Sequence, residues 1–131
     1  MFNTKILMMV SAIGMGIFGI ILSFLPNEII DLFKIASHPI STIAFQLMSA
    51  LFLGFALLNW MAKASVMGGI YNKPIAIGNF MHYAVGAIAL IKLLFHVEIY
   101  HEILIPLTIY YSILAVGFGY VFMNNPKQKT S

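Results

Sequence analysis

The chain contains no cysteine and no arginine. Without cysteine there are no disulfides, no thiolate metal ligands and no cysteine nucleophile. Without arginine there is no bidentate guanidinium clamp for phosphate or carboxylate. Charge of either sign is scarce: seven lysines and four acids make 8% of the 131 residues, against about 25% in soluble chains. So few charges cannot clothe a surface that faces water. The net charge of +3 comes from single, scattered lysines with no basic stripe, so nothing points to nucleic acid. A Walker loop, a dinucleotide fingerprint, an H-E-x-x-H motif and a Ser-His-Asp order are also missing. No internal repeat is visible, which leaves an inverted-repeat transporter unsupported.

What fills the chain is hydrocarbon. Hydrophobic residues make up 61% and the mean hydropathy is +0.96, so the main solvent is lipid rather than water. Four apolar runs cover residues 6–25, 40–62, 75–95 and 103–123, with a polar tail over 124–131. A run of twenty residues rises about 30 Å as a helix, the thickness of the hydrocarbon core. Backbone groups in lipid need internal partners, so each run is predicted to be helical. Pro26 ends the first run, Pro39 and Pro74 precede the second and third, and Pro106 is expected within the first turn of the fourth, where it removes no helical hydrogen bond. The first run exceeds the roughly 7–15 residues of a signal-peptide core and no clear A-x-A site follows, so it is expected to stay as a membrane helix.

Charge placement predicts orientation. The N-terminus, the connection between the second and third runs, and the tail carry Lys5, Lys63, Lys73, Lys127 and Lys129 without an acid. The other two connections and their flanks carry Glu28, Asp31, Lys34, Lys92, Glu98 and Glu102. The positive-inside rule then puts both termini in the cytoplasm. After the first run, Asn27 is expected to cap a short interfacial helix with Glu28 and Asp31 in its first turn. Its apolar stripe would be Ile29, Ile30, Leu32, Phe33 and Ala36. The segment from Met67 to Asn72 reads as a turn. The predicted fold is thus all-α: one integral membrane domain over 1–131, a four-helix bundle with a short interfacial helix after the first span.

Helices in lipid associate through close backbone approach and buried polar contacts. Small residues recur at four-residue spacing: Ala12 with Gly16, Ala50 with Gly54, Ala115 with Gly119, and Gly78 with Gly86 on either side of His82. These are the expected packing faces, with a ligand crevice as the other reading; the Gly78–His82–Gly86 face is expected to hold a partner helix or a lipid-like molecule.

Three groups of residues can carry chemistry. His82, some 10 Å into the third span by helix rise, shares a face with Asn79. Asn59 and Trp60, Ser11 and Tyr120 come from matching depths. An ionisable group inside a membrane is a functional candidate. His82 can relay a proton, hold an anionic head group or bond a quinone carbonyl. It can equally lock the helices as a neutral histidine bonded to Asn79, Asn59 or Tyr120. Trp60 and Tyr71 are expected as interface anchors. The second group, His96, Glu98, His101 and Glu102, places two imidazoles and two carboxylates within seven residues. On a helix this spacing offers divalent-metal ligands on one face, with His38, Glu28 and Asp31 able to complete them; the simpler reading is a solvated loop. The third group is Gln46 and Ser49 with Tyr110, Tyr111 and Ser112, which can line a polar cavity or bond between helices. Lys92 can reach the interface from its helix end.

Phe24-Leu25-Pro26-Asn27-Glu28-Ile29 resembles the exit of the first span in DoxX-like small four-helix bacterial inner-membrane proteins. Gly69-Ile70-Tyr71-Asn72-Lys73-Pro74, followed by Gly78-Asn79 and His82, is similar to the turn entering their third helix, with Lys73 where arginine is frequent. The resemblance implies a bacterial inner membrane, the four-helix layout and, through members linked to quinone-coupled sulfur oxidation, a quinone. Three functional classes follow. The first is a non-enzymatic accessory subunit or binder of a small lipid-like ligand, working with the lipid bilayer and a homo-oligomeric or membrane-protein partner. The second is a quinone-binding redox component, and the third is a small transporter or channel.

Overall fold

A computed structural model describes residues 3–65 and 72–124. The turn expected at Met67–Asn72 (Asn72 apart), the anchor Tyr71 and the tail lysines Lys127 and Lys129 lie outside the described residues. The described chain is all-α, with helices α1 (Thr4–Phe24), α2 (Pro26–Leu32), α3 (Pro39–Ala62), α4 (Lys73–Leu94) and α5 (His101–Met123). Four of them, α1, α3, α4 and α5, are long and apolar enough to cross a membrane. The protein is a multi-pass membrane protein of the expected fold class. Each long helix starts one or two residues earlier than its hydrophobic run, because polar or proline residues such as Thr4, Pro39 and Lys73 fit a first helical turn.

The start of α5 changes one local expectation. Tyr100 precedes the helix in the left-handed region, at φ 64, and the first helical residue is His101 rather than Ile103. Pro106 therefore sits inside the helix, past the first turn, where its missing N–H deprives the Glu102 carbonyl of an intrahelical partner. Glu102 is exposed at the helix end, where head groups and water can supply that bond.

The short helix exists, but Asn27 does not cap it. Pro26 occupies the first helical position, Leu25 stands at the cap without a side-chain bond, and the Asn27 carboxamide accepts a hydrogen bond from Thr42 Oγ1 at 3.1 Å. Asn27 thereby ties α2 to the first turn of α3. The helix closes at Phe33 with two bonds, Ile35 N–H to the Ile30 carbonyl (2.9 Å) and Lys34 N–H to the Asp31 carbonyl (3.2 Å). These are the paired bonds of a Schellman close, and Lys34 takes its left-handed position at φ 52. The apolar stripe is narrower than expected: Ile30 is buried, Ile29 and Phe33 are partly buried, Leu32 is exposed, and Ala36 lies beyond the helix. At the start of α3, Nδ1 of His38 accepts from the Ile40 N–H at 3.1 Å, so this imidazole serves as a helix cap.

The chain forms two compact units, residues 8–64 and residues 65–131 with 1–7. In the first, α1 and α3 run antiparallel. Met8, Ser11, Ala12 and Met15 form the buried face of α1, and Ser49, Phe52, Ala56 and Asn59 that of α3, both at helical spacing. Gly19 seats Leu53: a Cβ there would lie 2.7 Å from Leu53 Cγ and 3.2 Å from its backbone nitrogen. At Gly16 the nearest group is the Ala56 methyl, at 3.8 Å from such a Cβ. In the other unit α4 and α5 pack antiparallel through aromatic rings. Tyr83 and Phe118, both fully buried, stack with centroids 5.8 Å apart, and Phe80 stacks on Phe122 at 6.5 Å. Gly119 faces Phe80, whose ring would lie 3.1 Å from an added Cβ.

Gly19 and Gly54 make a direct test of this packing. Gly19→Ala should lower unfolding stability in micelles by about 1–3 kcal/mol, the usual cost of overpacking, because a backbone atom bars retreat. Gly54→Ala, with nothing within 4 Å of the new methyl, should leave the transition unchanged or raise it. Equal effects in a thermal or SDS titration would contradict the α1/α3 contact.

Candidate functional site

The residues grouped with His82 divide between the two units. In residues 8–64, Asn59 and Ser11 are both fully buried. The Asn59 amide donates to Ser11 Oγ at 2.8 Å, pinning α3 to α1. In the other unit, fully buried Asn79 donates to the Ile75 carbonyl of its own helix at 2.9 Å. Half-buried His82 shares a hydrogen bond between Nε2 and the Tyr111 hydroxyl, at 3.2 Å. Tyr120 is 52% exposed. It borders an apolar furrow of about 500 Å³ with Ser112, Ile113, Val116 and Gly117. Gln46 lies on an exposed face of α3, whereas Ser49 is buried.

His82 is thus bonded to a residue that the sequence analysis placed in a different group. His82 stands nine residues into α4 and Tyr111 ten residues into antiparallel α5. Each is about 14 Å along its helix by helix rise, so the two meet near mid-span. Gly86 makes the meeting possible: a Cβ on it would lie 2.5 Å from Tyr111 Cε1. The Gly78–His82–Gly86 stripe therefore receives, at Gly86, the Tyr111 ring of α5. Tyr83 completes the cluster, edge-on to His82 at 5.0 Å and to Tyr111 at 5.1 Å; Tyr110 lies 6.0 Å from both Tyr83 and Tyr111. Tyr83 carried no periodic signal of its own beyond its place between His82 and the Ala76–Asn79–Ala87 buried face. Among the described residues, no buried side-chain nitrogen or oxygen lacks a hydrogen-bond partner.

The outer group is not on one helix. α4 ends at Leu94 and α5 begins at His101, so His96 and Glu98 occupy a turn and a bend. The helical spacing that would align Glu98 with His101 and Glu102 does not apply there. His96 Nδ1 donates to the Lys92 carbonyl at 2.7 Å. His101 Nε2 donates to the Val97 carbonyl at 2.8 Å. Both rings thus fasten the connection, and Glu98 and Glu102 are exposed. Among the described residues no group of three or more His, Cys, Asp or Glu side chains is set to hold a metal ion.

A groove runs between α1 and α3 along the Ala12–Gly16 face, although the sequence did not say which residues would face it. Ala12, Ile13 and Gly16 form one wall, Leu53, Ala56, Leu57 and Trp60 the other, around about 460 Å³. That volume is within the range of ligand clefts, roughly 300–1,000 Å³. Its cause is local: Ala12, Gly16 and Ala56 are small and make a low floor, with the exposed Ile13, Leu57 and Trp60 as its taller rim. The Gly19–Leu53 contact holds the pair at one end, and the Ser11–Asn59 bond holds it at the other. At that second end Trp60 is 46% exposed, and Lys63 places its ammonium 3.0 Å from the centroid of the indole. The Ala12–Gly16 spacing was the available signal; its facing residue, Ala56, lies outside any small-residue pair. Comparison with family models, curated proteins and solved structures gave no match.

Tyr111→Phe keeps the ring and removes the hydroxyl. It should cost about 0.6 kcal/mol, the usual worth of an interhelical hydrogen bond in lipid. Gly86→Ala evicts the ring itself and should cost more, about 1–3 kcal/mol. Unfolding of both variants in the same micelle checks the order; a larger loss in Tyr111→Phe would contradict the seat at Gly86.

Proposed function

We propose that the protein is a non-enzymatic binder of a lipid-like molecule, and that the α1/α3 groove is its binding site. The observation that carries this reading is the groove itself: an open apolar cleft maintained by two interhelical contacts, with an indole and an ammonium at one end. Helix contacts in lipid draw on interlocking side chains, as the Tyr111 ring does at Gly86. A cleft that stays open beside a tight contact favours an acyl chain or a similar hydrocarbon. His82, the residue best suited to bond a quinone carbonyl, has its Nε2 engaged with Tyr111, which favours the lipid over the redox reading. The same proposal includes kinship with the DoxX-like proteins and a bacterial inner membrane, on the resemblance of residues 24–29 and 69–74, and cytoplasmic termini, supported by the lysine distribution.

Two measurements test it. In native mass spectra from mild detergent, the wild-type chain should retain one lipid-sized adduct, and Gly16→Val should lose most of it. The new Cβ has room beside Ala56 while its branches enter the groove, so an unchanged melting curve should accompany the loss. No retained adduct in the wild type, or full retention in Gly16→Val, would overturn the site. For orientation, alkaline phosphatase fused after the C-terminus should be inactive in a bacterial host; an active fusion places the tail outside.

A further inference from the structure

We infer that the occupant of the groove is an anionic phospholipid, its chain along α1 and α3 and its phosphate on Lys63. This rests on the lipid-binding reading of the groove and adds the chemistry of the head group. The groove runs from Leu53 to Trp60 along α3, seven residues or about 10 Å of helix rise. Lys63 follows the last helical residue, Ala62, less than one turn beyond Trp60. A chain lying against Ala12, Gly16 and Ala56 therefore brings its polar end to the end of α3, where the hydrocarbon stops and the first cation stands.

The position of that cation is defined. Lys63 is half-buried, with its ammonium on the face of the Trp60 indole at 3.0 Å. A cation–π contact draws on the charge of the ammonium and leaves N–H donors for an anionic oxygen. The indole thus holds the ammonium at the mouth of the groove rather than letting it swing into water.

Charge selects the ligand. The only acids between residues 8 and 64 are Glu28 and Asp31, both on α2. That helix follows the end of α1 and precedes the start of antiparallel α3, so it lies a full helix length from Lys63. Lys63 has no carboxylate of its own unit nearby. A zwitterionic head group brings its own cation toward Lys63, whereas an anionic one brings net negative charge. One lysine near an anionic lipid surface favours binding about fivefold.

Trp60 is the only tryptophan, so the native fluorescence of the full chain reports on the groove mouth. The protein is placed in phosphatidylcholine vesicles containing the same small fraction of chain-brominated phosphatidylglycerol or chain-brominated phosphatidylcholine. Brominated phosphatidylglycerol should quench Trp60 with about fivefold stronger apparent association. Lys63→Gln should reduce this to the phosphatidylcholine level, Lys63→Arg should restore it, and Lys92→Gln, on α4, should leave it unchanged. A preference that survives Lys63→Gln overturns the assignment to Lys63. Equal quenching in the wild type, with a lipid adduct still retained in native mass spectra, overturns the head-group inference and leaves the groove reading standing. Equal quenching with no retained adduct overturns both.

Discussion

Hydrocarbon offers no hydrogen bond, and the rest of this structure follows from that constraint. A backbone amide or carbonyl that enters the bilayer must find its partner within the protein, which makes α1, α3, α4 and α5 helices whatever their local propensities. Polar side chains obey the same rule. Thr108 and Asn79 return bonds to carbonyls four residues back, at Leu104 and Ile75. Asn59 reaches Ser11 on the neighbouring helix, and His82 shares its bond with Tyr111. The two interhelical bonds are worth only about 0.6 kcal/mol each by the usual measure, but each also fixes which faces meet.

Since lipid gives helices no hydrophobic reason to associate, shape decides the rest. The two helix pairs solve that problem differently. α4 and α5 fill their interface with rings: Tyr111 occupies the place a side chain at Gly86 would take, and Tyr83 stacks on Phe118. α1 and α3 touch closely at Gly19 and Leu53 and stay in ordinary contact at Gly16 and Ala56, over which the groove lies. One pair interlocks through its rings and carries an imidazole–phenol bond at mid-span; the other carries an apolar groove that ends under a cation. The difference comes from a few side chains, with alanine and glycine under the groove and tyrosine where the other pair closes.

The sequence made the membrane class, the four spans and the short second helix legible, because hydropathy and length depend on composition rather than on partners. Pro39 and Pro74 gave the starts of α3 and α4 to within one residue, while Pro26, read as the end of the first run, also opens α2. Partner choice was less legible. Tyr111 was placed in a different group from His82, yet the two share a hydrogen bond, because antiparallel α4 and α5 bring both to mid-span. Four-residue spacing identified Gly86 and Gly119 as contact positions, but it also marked Ala50 and Gly54, which lie on an exposed face, and it passed over Gly19, the tightest contact in its unit. His96 and His101 looked like paired ligands only if residues 96–102 were helical; α4 ends at Leu94 and Tyr100 is left-handed, and both rings bond backbone carbonyls instead. A groove has no linear signature, since it arises where small residues on two distant segments face each other.

The account therefore turns on whether hydrocarbon from the bilayer lies between α1 and α3. Solid-state NMR of the labelled protein in bilayers with labelled acyl chains measures this directly. The account predicts through-space correlations from lipid methylenes to the Ala12 and Ala56 methyls, which lie deep between the helices, stronger than to the open-face methyl of Ala50. Correlations at Ala50 but none at Ala12 and Ala56 would show that the cleft holds no lipid, and would contradict it.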